Sequence, residues 1–243
     1  MNACTTKSNT EPISFTLEQH GVLQQLDQGL VFDVTEKFYL PMNTRPWGDY
    51  GDILVSGMAT RGEFSSPVDR TLPLQIERTG PFVPPITFPD GESIVCSDDC
   101  RSKMEEDFGE ESLEFLPTVK KLIVMSDWED WDLDEDEPWE YPEEGEPENY
   151  VLYKPHSQSA SDEMGPLWEL AVSYGGLVET DVTKGASYSC IRVHRDKWNG
   201  NHLFLANRGD WDSSIWLVAT EAGRQFLDQY GGDWLEFEDC QTI

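Results

Sequence analysis

Forty-seven Asp and Glu against 17 Lys and Arg give this 243-residue chain a formal charge of −30. Such a surplus excludes binding nucleic acid through its phosphates, which takes Lys and Arg to displace counterions, and docking on anionic membrane surfaces. It favours solubility and fast, salt-sensitive encounter with a basic partner.

A hydrophobic fraction of 38%, with nine Trp, is too rich for a disordered chain, and the length suits one large domain or two small ones. No run approaches the ~20 apolar residues of a membrane span. The polar opening, Met1 to Ile13, holds no signal-peptide core, so the expected location is the cytoplasm. Five Cys, an odd number, fit reduced thiols better than a disulfide framework.

Residues 1–12 read as a flexible lead-in. Thr16 to Leu30 carries Leu17, Val22, Leu23, Leu26 and Leu30, a helix pattern interrupted by Gly21 and Gly29. Short extended runs follow at Phe38-Tyr39-Leu40, Ile53-Leu54-Val55 and Leu72-Pro73-Leu74. Thr79 to Pro89 is punctuated by proline, yet Phe82, Val83, Ile86 and Phe88 call for burial, which predicts an ordered loop or edge strand. Val119 to Met125 is the clearest strand. Ser161 to Tyr174 predicts an amphipathic helix through Leu167, Leu170, Ala171 and Tyr174; Leu177 to Asp181 and Ser189 to His194 read as strands.

One passage occurs twice. Ile94 to Gly109, followed by Leu113-Glu-Phe115, returns 122 positions later as Trp216 to Gly231, followed by Leu235-Glu-Phe237. Each copy predicts a strand, a helix and a strand. Asp98 or Thr220 supplies an N-cap. Cys100, Met104 and Phe108, or Ala222, Phe226 and Tyr230, line one helical face. Gly109 or Gly231 stops the helix.

The second copy with its lead-in, Trp198-Asn-Gly-Asn-His-Leu-Phe204, then Ile215 to Leu227, then Leu235-Glu-Phe237, resembles a loose bacterial group of immunity proteins. Members often sit beside polymorphic or contact-delivered toxins. Thr79-Gly-Pro81 with Cys96-Ser-Asp98 is similar to the same element in the middle of such proteins. The resemblance covers about Thr79 to Phe115 and His194 to Phe237, and it implies a cytosolic antidote to a cognate toxin. Paired Cys-x-x-Cys knuckles of some relatives are replaced here by a lone Cys96-x-x-x-Cys100, so a structural zinc is not carried over.

From Ser126 to Asn149, thirteen of 24 residues are Asp or Glu and none is Lys or Arg. Trp128, Trp131, Trp139 and Tyr141 are interleaved, and such aromatics carry interface energy when a contact buries them. The acidic groups Asp127, Glu129, Asp130, Asp132, Asp134, Glu135, Asp136 and Glu140 complement a basic surface. These twelve residues are the expected partner-binding set: a loop that plugs a cationic cleft. The other reading is an acidic loop whose Trp side chains pack back on the domain.

Asp132, Asp134, Asp136 and Glu143 brush against calcium-loop spacing, but Glu137 stands where that loop needs Gly. Cys96 with Cys100 and Cys190 with His194 are i, i+4 pairs, too sparse for a zinc site or a nucleophile. Neither a cofactor nor a metal is therefore expected. Lys184, Arg192, Arg195, Lys197 and Arg208, with His194 and His202, concentrate basic charge and are expected to pair with the acidic run.

The expectation is an α+β protein, mainly antiparallel, with two related strand–helix–strand units. Residues 13–125 hold the first unit, 126–149 form the acidic insertion, and 150–243 hold the second, with the halves packed as one body. The expected function is stoichiometric occlusion of a toxin's active site without catalysis, with neither nucleic acid nor membrane as a partner. Two alternatives stay open: an acidic nucleic-acid mimic or regulatory inhibitor of another basic protein, and a hydrolase using paired carboxylates.

Overall fold

The computed structural model describes residues 36–44, 53–58, 70–109, 112–125, 151, 154–180, 191–209 and 215–243. Strands β1 (Phe38–Asn43), β2 (Leu54–Val55), β3 (Gln75–Thr79), β4 (Ile86–Thr87) and β5 (Ile94–Ser97) precede helix α1 (Asp98–Phe108). Next come β6 (Phe115–Pro117), β7 (Val119–Val124), α2 (Gln158–Met164), β8 (Leu167–Leu170), β9 (Tyr174–Thr180), β10 (Ile191–Val193) and β11 (Leu203–Arg208). The described chain ends with β12 (Ile215–Thr220), α3 (Glu221–Gly231) and β13 (Leu235–Thr242). This is an α+β fold in which most strand pairs are antiparallel; β3–β7, β9–β11 and β10–β13 run parallel. Among the described residues, no helix is long and apolar enough to cross a membrane.

Both copies of the repeat build the same four-stranded arrangement. The first gives the order β4-β5-β8-β6; the second gives β11-β12-β1-β13. In each, a short strand precedes the entering strand as its antiparallel neighbour. The helix then carries the chain over to a closing strand, with one foreign strand wedged antiparallel between the entering and closing strands. The wedge is exchanged. β8 lies C-terminal to the acidic run yet fills the first unit, whereas β1 lies N-terminal to it and fills the second. Strands β9 and β10 extend the second sheet into a closed six-stranded barrel, β1-β12-β11-β9-β10-β13.

Strand alternation sorts the side chains. Phe38, Leu40, Val178, Val193, Phe204, Ala206 and Val218 point into the barrel, where Phe38 meets Trp198 and Phe204 edge to face at 5.3 and 6.1 Å. On the outer wall, Leu203, Leu205, Leu217, Ala219 and Leu235 share a core with α1, α3 and one face of the first sheet, through Ile86, Ile94, Cys96 and Leu170. The sheet's opposite face, through Val95 and Leu167, packs on α2 and on the third sheet, β2-β3-β7.

The helices correct the register of the repeat by one residue. Ser97, not Asp98, caps α1 by accepting the Cys100 N–H at 3.3 Å, while Thr220 caps α3 as expected by accepting that of Gly223. Gly109 closes α1, but Gly232 rather than Gly231 closes α3, at φ 52°, a conformation cheap only for glycine. Cap matches cap and stop matches stop at a spacing of 123. The buried face of α3 is accordingly Gly223, Leu227 and Gly231. Ala222, Phe226 and Tyr230 sit on its flank, half-buried, where Phe226 and Tyr230 meet Phe108 of α1 at 5.4 and 6.4 Å.

Two further expectations fail locally. The helix expected over Ser161 to Tyr174 ends at Met164, because Gly165-Pro166 breaks it; Leu167 and Leu170 belong to β8, which buries both of its faces. Leu72 is 78% exposed, and the strand starts only at Gln75, after Leu74 has been inserted into the core. The 79–89 segment does form an edge strand, β4, with Ile86 and Phe88 buried but Phe82 exposed. The helix expected over residues 16–30 lies outside the described residues.

Candidate partner-binding surface

The described residues on either side of the acidic run, Val124 and Val151, share one hydrophobic cluster. β7 delivers the chain to residue 125, with Ile123 and Val124 buried. Beyond the run, Val151 is 1% exposed against Leu54 and Val124. His156 and Ser157 then pair with β7: the Ile123 N–H donates to His156 Nδ1 at 3.1 Å, and the Ser157 N–H donates to the Ile123 carbonyl at 2.7 Å. Ser157 next caps α2, accepting the Ala160 N–H, and Ala160 and Met164 pack into the core between sheets. Lys120 of β7 donates from Nζ to the carbonyls of Ser161 and of Gly165, the latter at 2.9 Å, and burial lowers its pKa. The residues that flank 126–150 thereby pack in one cluster with Leu54 and Val124 on the β2-β3-β7 sheet, and His156 and Ser157 hydrogen-bond to β7. All twelve expected contact residues, from Asp127 to Tyr141, and the calcium-like spacing lie outside the described residues.

The sequence-flagged cysteines Cys96 and Cys100 are buried thiols. Burial pushes both pKa values up, that of Cys100 to about 11, which leaves them neutral rather than thiolate. Cys190 and Lys184 lie outside the described residues. Members of the basic group have local partners: Arg192 and His194 meet Glu179 at 3.5 and 3.0 Å, Lys197 meets Asp196 at 2.9 Å, and Arg195 donates to the Glu36 carbonyl at 2.6 Å.

Two polar clusters escaped the sequence reading. Arg70 pairs with Glu169, which is 3% exposed on β8, and also donates to Ser93 Oγ at 3.2 Å. Asp90 accepts from the Glu92 and Ser93 N–H groups, and burial together with Asp90 raises the pKa of Glu92. At the start of α3, Tyr39 donates to Glu221 at 2.5 Å, and Arg224 donates to the other oxygen at 2.8 Å. The Arg224 and Tyr39 bonds hold Glu221 down to about 2, while the Glu221 bond lifts Tyr39 to about 12. His202 Nδ1 lies 2.9 Å from Thr220 Oγ1, and burial lowers the His202 pKa. Glu169 was legible only as the one charged residue in Leu-Trp-Glu-Leu; its partner Arg70 lies 99 positions away.

Compared with known proteins, this chain matches no family model, no curated protein and no solved structure. What it does has to be read from its own residues.

Proposed function

We propose that the chain is a cytoplasmic immunity protein that binds a cognate toxin domain one to one, blocks its active site and performs no chemistry itself. The observation that carries this reading is the composition of residues 126–150 together with where the residues that flank them sit. Thirteen carboxylates and three Trp are concentrated in a segment whose flanking residues Val124 and Val151 pack in one cluster on the β2-β3-β7 sheet. A segment tethered at both ends loses less freedom on ordering than a free tail of equal length. Carboxylates steer it to a basic cleft, and Trp128, Trp131, Trp139 and Tyr141 supply the apolar contact. A nuclease or nucleotide-using toxin has the basic cleft such a plug fits.

The test has two arms. Affinity capture from the source cell is expected to retain one protein at 1:1, lost as salt rises, and toxic when expressed without this chain. Deleting Asp127 to Glu148 is expected to leave the urea transition of the body in place while abolishing that complex in calorimetry. A harmless partner defeats the toxin reading and leaves an inhibitor of some other basic protein. Unchanged affinity after the deletion moves the contact off the acidic run.

A further inference from the structure

β7 is the last strand of the β2-β3-β7 sheet, so one row of its backbone groups faces away from β3. Ile123 belongs to that row, and the chain at His156 and Ser157 covers it. The Ser157 N–H donates to the Ile123 carbonyl at 2.7 Å, as a neighbouring strand would. The Ile123 N–H meets no carbonyl in return. It donates to His156 Nδ1 at 3.1 Å, so an imidazole stands where a strand partner would present its oxygen. Ile123 is buried and His156 is exposed, which puts the acceptor within reach of water and protons.

A carbonyl accepts at every pH, whereas an imidazole nitrogen accepts only through its lone pair. The bond therefore marks Nδ1 as the bare nitrogen, with the proton of the neutral ring on Nε2. A proton arriving at Nδ1 occupies that lone pair and sets N–H against N–H. Turning the ring over would present a carbon instead. The sign follows: the bond is present while the imidazole is neutral and is lost as the pH falls through about 8 to 5, the range in which imidazoles take up a proton.

The charged groups on the elements packed around the ring are Lys120 and Lys121 of β7, Asp162 and Glu163 of α2, and Lys154 on its own segment. Lys120 is turned to the carbonyls of Ser161 and Gly165, Lys121 donates to Gln75, and Asp162 accepts from Gln158. Among the described residues, the group that the ring binds is the Ile123 N–H.

We propose that His156 is a proton-operated latch. With its imidazole neutral, it holds the chain that leads into α2 on the outer edge of β7. With Nδ1 protonated it lets go, leaving the Ser157 bond. The latch needs no partner and stands apart from the immunity reading.

Amide exchange of the full chain tests it, followed by NMR between about pH 5 and 8 and divided at each pH by the intrinsic rate. Protection at Ile123 is expected to fall about three- to tenfold towards acid, the effect of losing one ordinary hydrogen bond. The fall should track the titration of the His156 ring in the same spectra. In His156→Gln and His156→Ala, neither of which can take up that proton, the profile is level. His20, His194 and His202 remain in both variants, so a step that persists there belongs to them and overturns the proposal. A level profile in the unaltered chain overturns it too. So does an equal step at the β7 amides that pair with β3, which would report loosening of the whole sheet.

Discussion

Glu169 shows what a single buried charge demands of its surroundings. Glu169 is 3% exposed, one carboxylate oxygen is held by Arg70, and the other, Oε2, has no hydrogen-bond partner among the described residues. Removing Arg70 leaves that charge buried without its counter-ion. For a fully buried pair the cost is ~3–5 kcal/mol; Arg70 is about a third exposed, so Arg70→Met is expected to cost less, ~2–3 kcal/mol, after solvent screening. The double variant Arg70→Met/Glu169→Leu removes both charges and is expected to recover most of the loss. Urea midpoints of the two variants decide it: a double variant as unstable as the single would mean that Glu169 is held by more than Arg70.

At the level of elements, the one-residue correction to the repeat has energetic consequences. If the spacing of 122 governed the packing, Phe226 would be the buried anchor of α3, as the partner of Met104. At the observed spacing the anchor is Leu227, fully buried in the core shared by barrel and sheet. Leu227→Ala is therefore expected to cost ~2–5 kcal/mol. Phe226→Ala, which trims a half-buried flank against Phe108, is expected to cost less despite removing more atoms. Chemical denaturation of the pair reads the order directly, and the reverse ranking would restore the sequence register. The slip was hard to see in one dimension. Phe108 aligns with Tyr230 and Gly109 with Gly231 at 122, yet α3 runs one residue further before Gly232 stops it. Gly231 lies within the helix and packs directly against the Leu235 side chain, while Gly232 ends the helix.

For the whole molecule, the exchange of β1 and β8 ties the two halves together. Cutting the chain within the acidic run strands β1 with the wrong unit: residues 1–125 then lack the centre of the β5–β6 sheet, and residues 126–243 lack the strand that closes the barrel between β12 and β13. Each half would expose two unpaired strand edges, a template for association. The expected outcome is that neither half alone gives a cooperative urea transition as a monomer, and that co-expression yields a 1:1 complex with the circular dichroism of the intact chain. A half that folds cooperatively and sediments as a monomer would show that it can close on its own wedge strand.

Much of this molecule was present in its sequence. The α+β class, the two strand–helix–strand units, the Thr220 cap, β1 at Phe38-Tyr39-Leu40 and β7 at Val119 to Met125 follow from periodicity and capping chemistry, which act over a few residues. So does the concentration of acid and Trp in 126–149, a property of composition. Tertiary structure alone decided which strand fills each unit, because period-two alternation says which face of β1 or β8 is buried but not which edges its amides meet. Only in three dimensions does Val151 return to Val124, so that the residues flanking the acidic run share one cluster. The bond from Ile123 to His156 was equally invisible, since the two residues stand 33 positions apart and only the packing of the chain before α2 on the edge of β7 brings them together.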